Sequence, residues 1–344
     1  MHEARFWKKE DGNAVRCELC RFHCRIAEGE TGLCGVRTNR NGALYSLVYG
    51  RSIAEAIDPI EKKPFYHVEP GSLSYSIATV GCNFRCLHCQ NHQISQWPRE
   101  RGTIAGESLS PELVVRQAVA SGCRSIAYTY TEPTIYYEYA FDCARLAKQQ
   151  GLRNLFVTNG YTETAPLEEV APFLDAANVD LKAFRDDVHR KLTGARLQGV
   201  LETLRTYRKL GVWIEVTTLV IPGMNDDEEQ LRDIAGFIAG ELGPGVPWHV
   251  TAFYPTWRLL DAPPTPPATL VRARRIGLEA GLQFVYTGNI ADDEGSRTDC
   301  PRCGRALVER GRMRTARNLL TDGNCPGCGT AIPGLWGRTG QGGR

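Results

Sequence analysis

Cys82, Cys86 and Cys89 stand in Gly81-Cys-Asn-Phe-Arg-Cys-Leu-His-Cys-Gln-Asn91, directly after the strand-like run Ser74–Val80. Iron–sulfur clusters are ordinarily held by four cysteine thiolates. Three thiolates in one short loop, with no fourth close by in sequence, leave one iron of a four-iron cluster open, as a catalytic zinc site keeps one position free. One-electron chemistry on whatever chelates that iron is the reaction such a loop would support. A zinc knuckle, or three unrelated core thiols, is the plainer alternative, because short cysteine patterns recur by accident.

Two more cysteine groups flank this loop. Cys300-Pro-Arg-Cys303-Gly and Cys325-Pro-Gly-Cys328-Gly are paired knuckles whose tight turns aim backbone N–H groups at the thiolates. Such a pair makes a four-thiolate site for zinc or for a single iron of rubredoxin type, and metal binding supplies the folding free energy that a small terminal module lacks. At the other end Cys17, Cys20, Cys24 and Cys34 are spaced C-x2-C-x3-C-x9-C. A fourth cysteine closes that coordination sphere, so the group reads as structural zinc or as an auxiliary iron–sulfur cluster relaying electrons. Eleven of the 13 cysteines fall in these three groups, while Cys123 and Cys143 read as plain buried residues.

The elements that must position these groups alternate. Strand-like runs at Leu73–Val80, Ser125–Tyr130, Leu155–Thr158, Ala177–Leu181, Trp213–Val220, Trp248–Phe253 and Phe284–Thr287 are separated by helical segments, among them Pro111–Ala120, Ile135–Gln150, Glu228–Glu241 and Thr269–Ala280. That order predicts an α/β fold with a parallel sheet. Six βα units are too few for a closed eight-stranded barrel, so a partial (βα)6 barrel is expected, with chemistry at the carboxyl ends of its strands. The expected organisation is a cysteine-rich extension over 1–66, the partial barrel over 67–296, a four-cysteine ribbon over 297–336 and a disordered Gly-rich tail over 337–344. Forty-one Lys and Arg against 39 Asp and Glu give a net charge of +2, which argues for no global attraction to nucleic acid or membrane. No run approaches the ~20 apolar residues of a membrane span. Met1–Lys9 lacks the apolar stretch of a secretory signal. A cytoplasmic protein is expected.

Polar residues recur at the strand ends. The second strand runs into Thr129-Tyr-Thr-Glu-Pro133, the third ends in Val157-Thr-Asn-Gly160, the fourth in Val179-Asp-Leu-Lys182, and the sixth opens Trp248-His-Val250. Singly, each would more often be a helix cap, a surface ion pair or a satisfied core histidine. Together with the CxxxCxxC triplet they resemble the radical S-adenosylmethionine (SAM) enzymes, in the branch typified by pyruvate formate-lyase activating enzyme. The resemblance implies that the amino and carboxylate groups of SAM chelate the open iron of a [4Fe-4S] cluster, and that an electron then breaks the sulfonium bond to give a 5′-deoxyadenosyl radical. It implies that Thr131 and Glu132 hold the SAM amino group, that Thr158 and Asn159 face its methionyl or ribose part, that Asp180 and Lys182 flank its carboxylate and that His249 contacts the ribose. Tyr130 and Thr131 replace the glycines usual before that Glu, and Val157 replaces an acid often found before the TNG turn.

Over nearly the whole length, Asp58-Pro-Ile-Glu-Lys-Lys-Pro64, Pro70-Gly-Ser72, the cysteine loop, Tyr128–Pro133, Leu219-Val-Ile-Pro-Gly223, Phe253-Tyr-Pro255 and Tyr286-Thr-Gly-Asn289 resemble the AmmeMemoRadiSam-system radical SAM family. That family's two companion proteins are the implied partners, with a flavodoxin- or ferredoxin-class electron donor. The DPIEKKP stretch reads equally as a substrate or partner surface and as a charged turn closing the barrel's first strand. A different reading, an RNA-modifying radical enzyme or a metal-ribbon nucleic-acid-binding protein, rests on seven arginines within Arg297–Arg317. The lack of interleaved aromatics there speaks against single-strand binding.

Overall fold

A computed structural model describes residues 1–311 and 313–337. Its centre is an eight-stranded sheet built from β1 (Ala54–Pro59), β2 (Leu73–Ala78), β3 (Ser125–Tyr128), β4 (Arg153–Thr158), β5 (Ala176–Asp180), β6 (Trp213–Val220), β7 (Trp248–Ala252) and β8 (Val285–Gly288). They lie side by side in chain order. From β2 to β8 every pairing is parallel, and β1 alone is antiparallel, with Ala54 opposite Ala78 and Pro59 opposite Leu73. Parallel strands are covered on both faces, which is why Ser-Ile-Ala-Tyr128 is buried at every position.

Helices α1 (Pro111–Ala120), α2 (Tyr137–Gln149), α3 (Thr164–Val170), α4 (Asp186–Thr193), α5 (Leu197–Lys209), α6 (Glu228–Phe237) and α7 (Pro267–Glu279) fill the crossovers. Local sequence sets their ends. The Ser110 hydroxyl accepts the Leu113 N–H at 3.3 Å with Pro111 at the first helical position, and Asp227 accepts the Gln230 N–H at 3.0 Å. Gly194 stops α4 in the left-handed conformation at φ 83°.

The first strand of the parallel set is shorter than the sequence suggests. It ends at Ala78 because the chain turns at Gly81, whose φ is 98°. A Cβ there would lie 2.6 Å from a Val36 methyl and 2.9 Å from the Cys34 carbonyl oxygen, so only glycine lets the cysteine loop lie against the amino-terminal segment. The sequence reading also did not single out β1, α3, α4 or α5, and the expected helix Glu228–Glu241 finishes as a π-helical turn over Ile238–Leu242.

Residues before β1 form two small antiparallel sheets, one of them Trp7–Lys9, Val15–Cys17 and Arg25–Ile26. Val15, Val36 and Leu44 belong to the same buried cluster as Tyr128 and Val216. A fully buried ion pair ties this segment to α2: Arg37 Nη1 lies 2.9 and 3.0 Å from the two Glu138 carboxylate oxygens. At the other end β9 (Thr298–Asp299), β10 (Ala306–Gly311) and β11 (Arg314–Asn318) form a three-stranded antiparallel sheet. Its core joins Leu307, Val308 and Ile332 to Tyr66, Phe284 and Tyr286. Beyond Gly337, the tail read as disordered lies outside the described residues.

Candidate active site

The carboxyl ends of the parallel strands open into a cavity of about 1170 Å³. All three cysteines of the central loop line it, as do Thr131, Glu132, Thr158, Asn159, Asp180, Lys182 and His249. Residues that are far apart in sequence thus meet because, His249 within β7 apart, each follows or ends a strand of one parallel sheet.

The cysteine loop is fixed by its backbone. Arg99 donates to the carbonyls of Cys82 at 2.8 Å and Phe84 at 2.9 Å, Gln96 donates to Phe84 O at 3.2 Å, and Asn91 Nδ2 donates to Tyr130 O at 2.7 Å. The Phe84 N–H donates to the Cys82 sulfur at 3.3 Å. Burial pushes the Cys86 thiol up to about 12, offset in part by Lys182, and raises Cys82 as well, to which Glu132 adds. These sulfurs carry a thiolate charge readily only beside a strong cation.

Glu132 is buried and gathers the strand ends around its carboxylate. It accepts from the Thr134 N–H (3.0 Å) and hydroxyl (2.6 Å), from the Thr158 hydroxyl (2.7 Å) and from the Asn159 N–H (2.7 Å). Burial still lifts its carboxyl above the ordinary range against these hydrogen bonds. Asn159 in turn donates to Asn83 Oδ1 at 2.7 Å, joining the end of β4 to the cysteine loop. Lys182 Nζ lies 3.0 Å from Asp180. Burial opposes the Lys182 ammonium, yet Asp180 and the neighbouring cysteines hold it above the usual lysine range.

Several of the contacts that hold this cavity's walls were not legible in advance. His249 Nε2 sits 2.6 Å from Glu215, which also accepts the N–H groups of Tyr66 (3.0 Å) and His67 (2.9 Å). Burial would raise Glu215, but His249 holds it below the ordinary carboxylate range. A lone acid inside the apolar run Trp-Ile-Glu-Val216 is the signal that marks it. The DPIEKKP stretch is folded inward. Asp58 pairs with Lys62 at 2.7 Å and with Lys63 at 2.6 Å, and it accepts the Tyr130 hydroxyl at 2.6 Å. Burial acts to raise Asp58, and these three donors hold it well below the usual range. Tyr130, in place of a glycine, adopts φ 63°, with the Lys63 ammonium 4.2 Å from its ring centre. Those contacts offset the strain of a left-handed tyrosine.

The cavity's far wall comes from the last sheet. Arg310 on β10 lines it, donating to Tyr66 O at 2.7 Å and to Thr298 Oγ1 at 2.8 Å and lying 4.2 Å from the Tyr66 ring centre. Arg297 is forked onto Asp299 at 2.6 and 3.0 Å. Two of the arginines behind the nucleic-acid reading are therefore committed within the protein. Below them Cys300, Cys303, Cys325 and Cys328 bring four sulfurs within 4.8 Å of one another, the geometry of a single-ion site.

Residues 76–235 match the radical SAM superfamily. Over 310 residues the chain is 46% identical to an uncharacterized protein of Methanocaldococcus jannaschii, covering 90% of this chain and 92% of that one. It is 25% identical over 158 residues to the pyruvate formate-lyase-activating enzyme of Clostridium pasteurianum, spanning 46% of this chain and 66% of that enzyme. Among solved structures, a radical SAM methyltransferase from Sphaerobacter thermophilus shares the fold, with a TM-score of 0.52 at 18% identity over 70% of this chain and 71% of that one. The chain belongs to the radical SAM superfamily and is an enzyme. Its relatives there include the pyruvate formate-lyase activating enzymes.

The superfamily implies a [4Fe-4S] cluster and SAM, and the donor set suits both. Cys82, Cys86 and Cys89 line one cavity that also holds a mostly buried ammonium, Lys182, and a buried carboxylate, Glu132. No helix among the described residues is long and apolar enough to cross a membrane.

Proposed function

We propose that the enzyme cleaves SAM reductively and uses the resulting 5′-deoxyadenosyl radical to take hydrogen from a partner protein or a small molecule. The observation that carries this reading is the single cavity in which the three cysteines meet the ends of β3, β4 and β5 and His249. In the proposed arrangement Cys82, Cys86 and Cys89 hold the cluster, which when bound supplies the electron for cleavage. Glu132 and Thr131 receive the SAM ammonium, Lys182 faces its carboxylate with Asp180 fixing the lysine, Thr158 and Asn159 border the methionyl chain, and His249, oriented by Glu215, meets the ribose. The cavity, at about 1170 Å³, exceeds the roughly 300–1,000 Å³ of a common small-molecule site. SAM alone does not account for that space, and the wall bearing Arg310 is where a second reactant would lie.

The sheet is read as a partial (βα)6 barrel carrying a zinc-ribbon-like or rubredoxin-like module, with zinc or one iron at its four cysteines. The proposed setting is cytoplasmic, in the AmmeMemoRadiSam system, with a flavodoxin- or ferredoxin-class donor. The test is anaerobic reconstitution with iron and sulfide, reduction by dithionite, and assay for 5′-deoxyadenosine and methionine. Deuterium passing into 5′-deoxyadenosine from a labelled companion protein or candidate metabolite would name the substrate class. Absence of SAM cleavage by a fully loaded protein refutes the proposal.

A further inference from the structure

Among the described residues, Tyr66 alone of the tyrosines lining the main cavity keeps its hydroxyl free. Tyr130 donates to Asp58 at 2.6 Å, and Tyr254 donates to the Asn289 carbonyl at 3.0 Å. Tyr286, packed against Tyr66, is bonded to His67 at 2.6 Å and to Thr298 at 2.7 Å. Tyr66 is only 9% exposed, yet its hydroxyl oxygen is not sealed within protein and so opens into the cavity that the residue lines. A buried tyrosine ordinarily finds a partner for its O–H.

The rest of Tyr66 is held firmly. Its N–H donates to Glu215 at 3.0 Å, and its carbonyl accepts Arg310 Nη2 at 2.7 Å. The Arg310 guanidinium lies 4.2 Å from the ring centre, and the His249 ring stands edge to face at 4.8 Å. Tyr66 therefore touches both His249, assigned above to the ribose, and Arg310, which marks the wall assigned to a second reactant.

That placement favours one kind of chemistry. With no base among the described residues bonded to it, the phenol has no neighbour to take its proton. Burial raises its pKa, against the opposing pull of Arg310, so the phenolate is disfavoured. Such a hydroxyl can still give up a hydrogen atom, proton and electron together. A phenolic O–H is weaker than the C–H bond formed by a primary carbon radical, so that transfer runs downhill.

We propose that Tyr66 relays the radical: its phenolic hydrogen passes as an atom to the 5′-carbon of the deoxyadenosyl radical, and its oxygen then takes a hydrogen atom from the second reactant. The proposal rests on the radical reading above. In the first transfer the Tyr66 O–H bond breaks and a C–H bond forms, giving 5′-deoxyadenosine. In the second a bond to hydrogen in the reactant breaks and the phenol is restored. No further oxidant or reductant enters. The reactant's class follows, because a phenoxyl radical removes only a hydrogen held no more tightly than its own. A carbon whose radical is delocalised by neighbouring groups qualifies, and an unactivated alkyl chain does not.

The test uses SAM itself as the probe. The reconstituted full chain is reduced with dithionite in heavy water, where the Tyr66 hydroxyl carries deuterium, and the 5′-deoxyadenosine formed should carry a deuterium at its 5′-carbon. Tyr66→Phe should still cleave SAM and lose that label, while Tyr254→Phe should match the wild type. Unlabelled product from the wild type overturns the proposal, and so does a label undiminished in Tyr66→Phe. Should that variant not fold, freeze-quenched wild type decides. It should show a tyrosyl electron paramagnetic resonance signal that narrows when the protein is made with ring-deuterated tyrosine, and cleavage without such a signal overturns the relay. Before reduction, N-acetylimidazole should acetylate Tyr66 in the reconstituted enzyme and spare Tyr286, and an unmodified Tyr66 overturns its opening into the cavity. Complete absence of 5′-deoxyadenosine refutes the radical reading together with the relay, whereas 5′-deoxyadenosine without label refutes the relay alone.

Discussion

Two groups of four cysteines sit at opposite ends of this chain, and they are embedded differently. The carboxyl-terminal four pair at 3.5 Å (Cys300–Cys328) and 3.7 Å (Cys303–Cys325), on a small sheet with its own satellite core. Cys303 is exposed. The amino-terminal four are threaded into the main core, with Cys17 and Cys34 in one cluster with Tyr128 and Val216, behind the Arg37–Glu138 ion pair. Equal numbers of thiolates therefore serve unequal needs. The carboxyl-terminal module has only a small core of its own around its four sulfurs, whereas the amino-terminal group shares the core of the central sheet.

The comparison can be broken in several places. The largest effect is expected at the loop that the amino-terminal group abuts: Cys82→Ala with Cys86→Ala and Cys89→Ala should reduce 5′-deoxyadenosine formation to background, while metal at the carboxyl-terminal site persists in elemental analysis. Next comes the ribbon itself. Cys300→Ala with Cys303→Ala should remove that metal, and with it up to about 10 kcal/mol of local folding free energy. Thermal scanning should show an early transition, while the folded fraction still cleaves SAM with dithionite. A variant that keeps one equivalent of zinc would place the structural metal elsewhere.

Glu138→Ala tests the opposite end. It leaves the Arg37 guanidinium buried without its partner, at a cost of about 3–5 kcal/mol, and should unfold at lower denaturant. Exchanging both residues for apolar ones, Arg37→Met with Glu138→Leu, should recover most of the loss.

Acid sharpens the contrast further. His67 donates through Nδ1 to Pro333 O at 2.7 Å and accepts the Tyr286 hydroxyl at Nε2 at 2.6 Å, and burial lowers its pKa to about 4. The unfolded chain takes up the proton first as pH falls below about 6.5, so stability is lost between there and about 4, by about 3 kcal/mol in all. The loss should appear at the docking of residues 333–336, read by hydrogen exchange, before the Arg37 side of the molecule loosens. The smallest effect is assigned to Glu132→Gln, which keeps the shape of the carboxylate but not its charge. SAM affinity should fall about tenfold, the order of one charge-assisted hydrogen bond, with cluster absorbance unchanged.

The seven parallel strands were readable because runs such as Leu155–Thr158 are apolar on both faces and bounded by turn residues. β1 escaped because Ala-Glu-Ala-Ile-Asp-Pro59 alternates as an edge strand does, and its charges look like those of a turn. The residues of the site could be named one by one from strand ends. Their supports could not. Arg99 reaches Leu33 across 66 positions, and Glu215 reaches His249 across 34, and nothing in local pattern encodes such pairings. Tyr130 shows the same limit: its left-handed backbone is sustained by Asp58 and Lys63, which lie 72 and 67 residues earlier.

The cavity is walled by Lys63 before the parallel strands begin and by Arg310 after they end. Chains emerge from the ribosome amino end first, at about 5–20 residues per second. Every residue proposed to touch SAM is thus outside the tunnel before Arg310, and the chamber is sealed last. A nascent chain stalled after β8 would lack the wall that Arg310 supplies, so translation order leaves the cavity incomplete until synthesis is nearly finished.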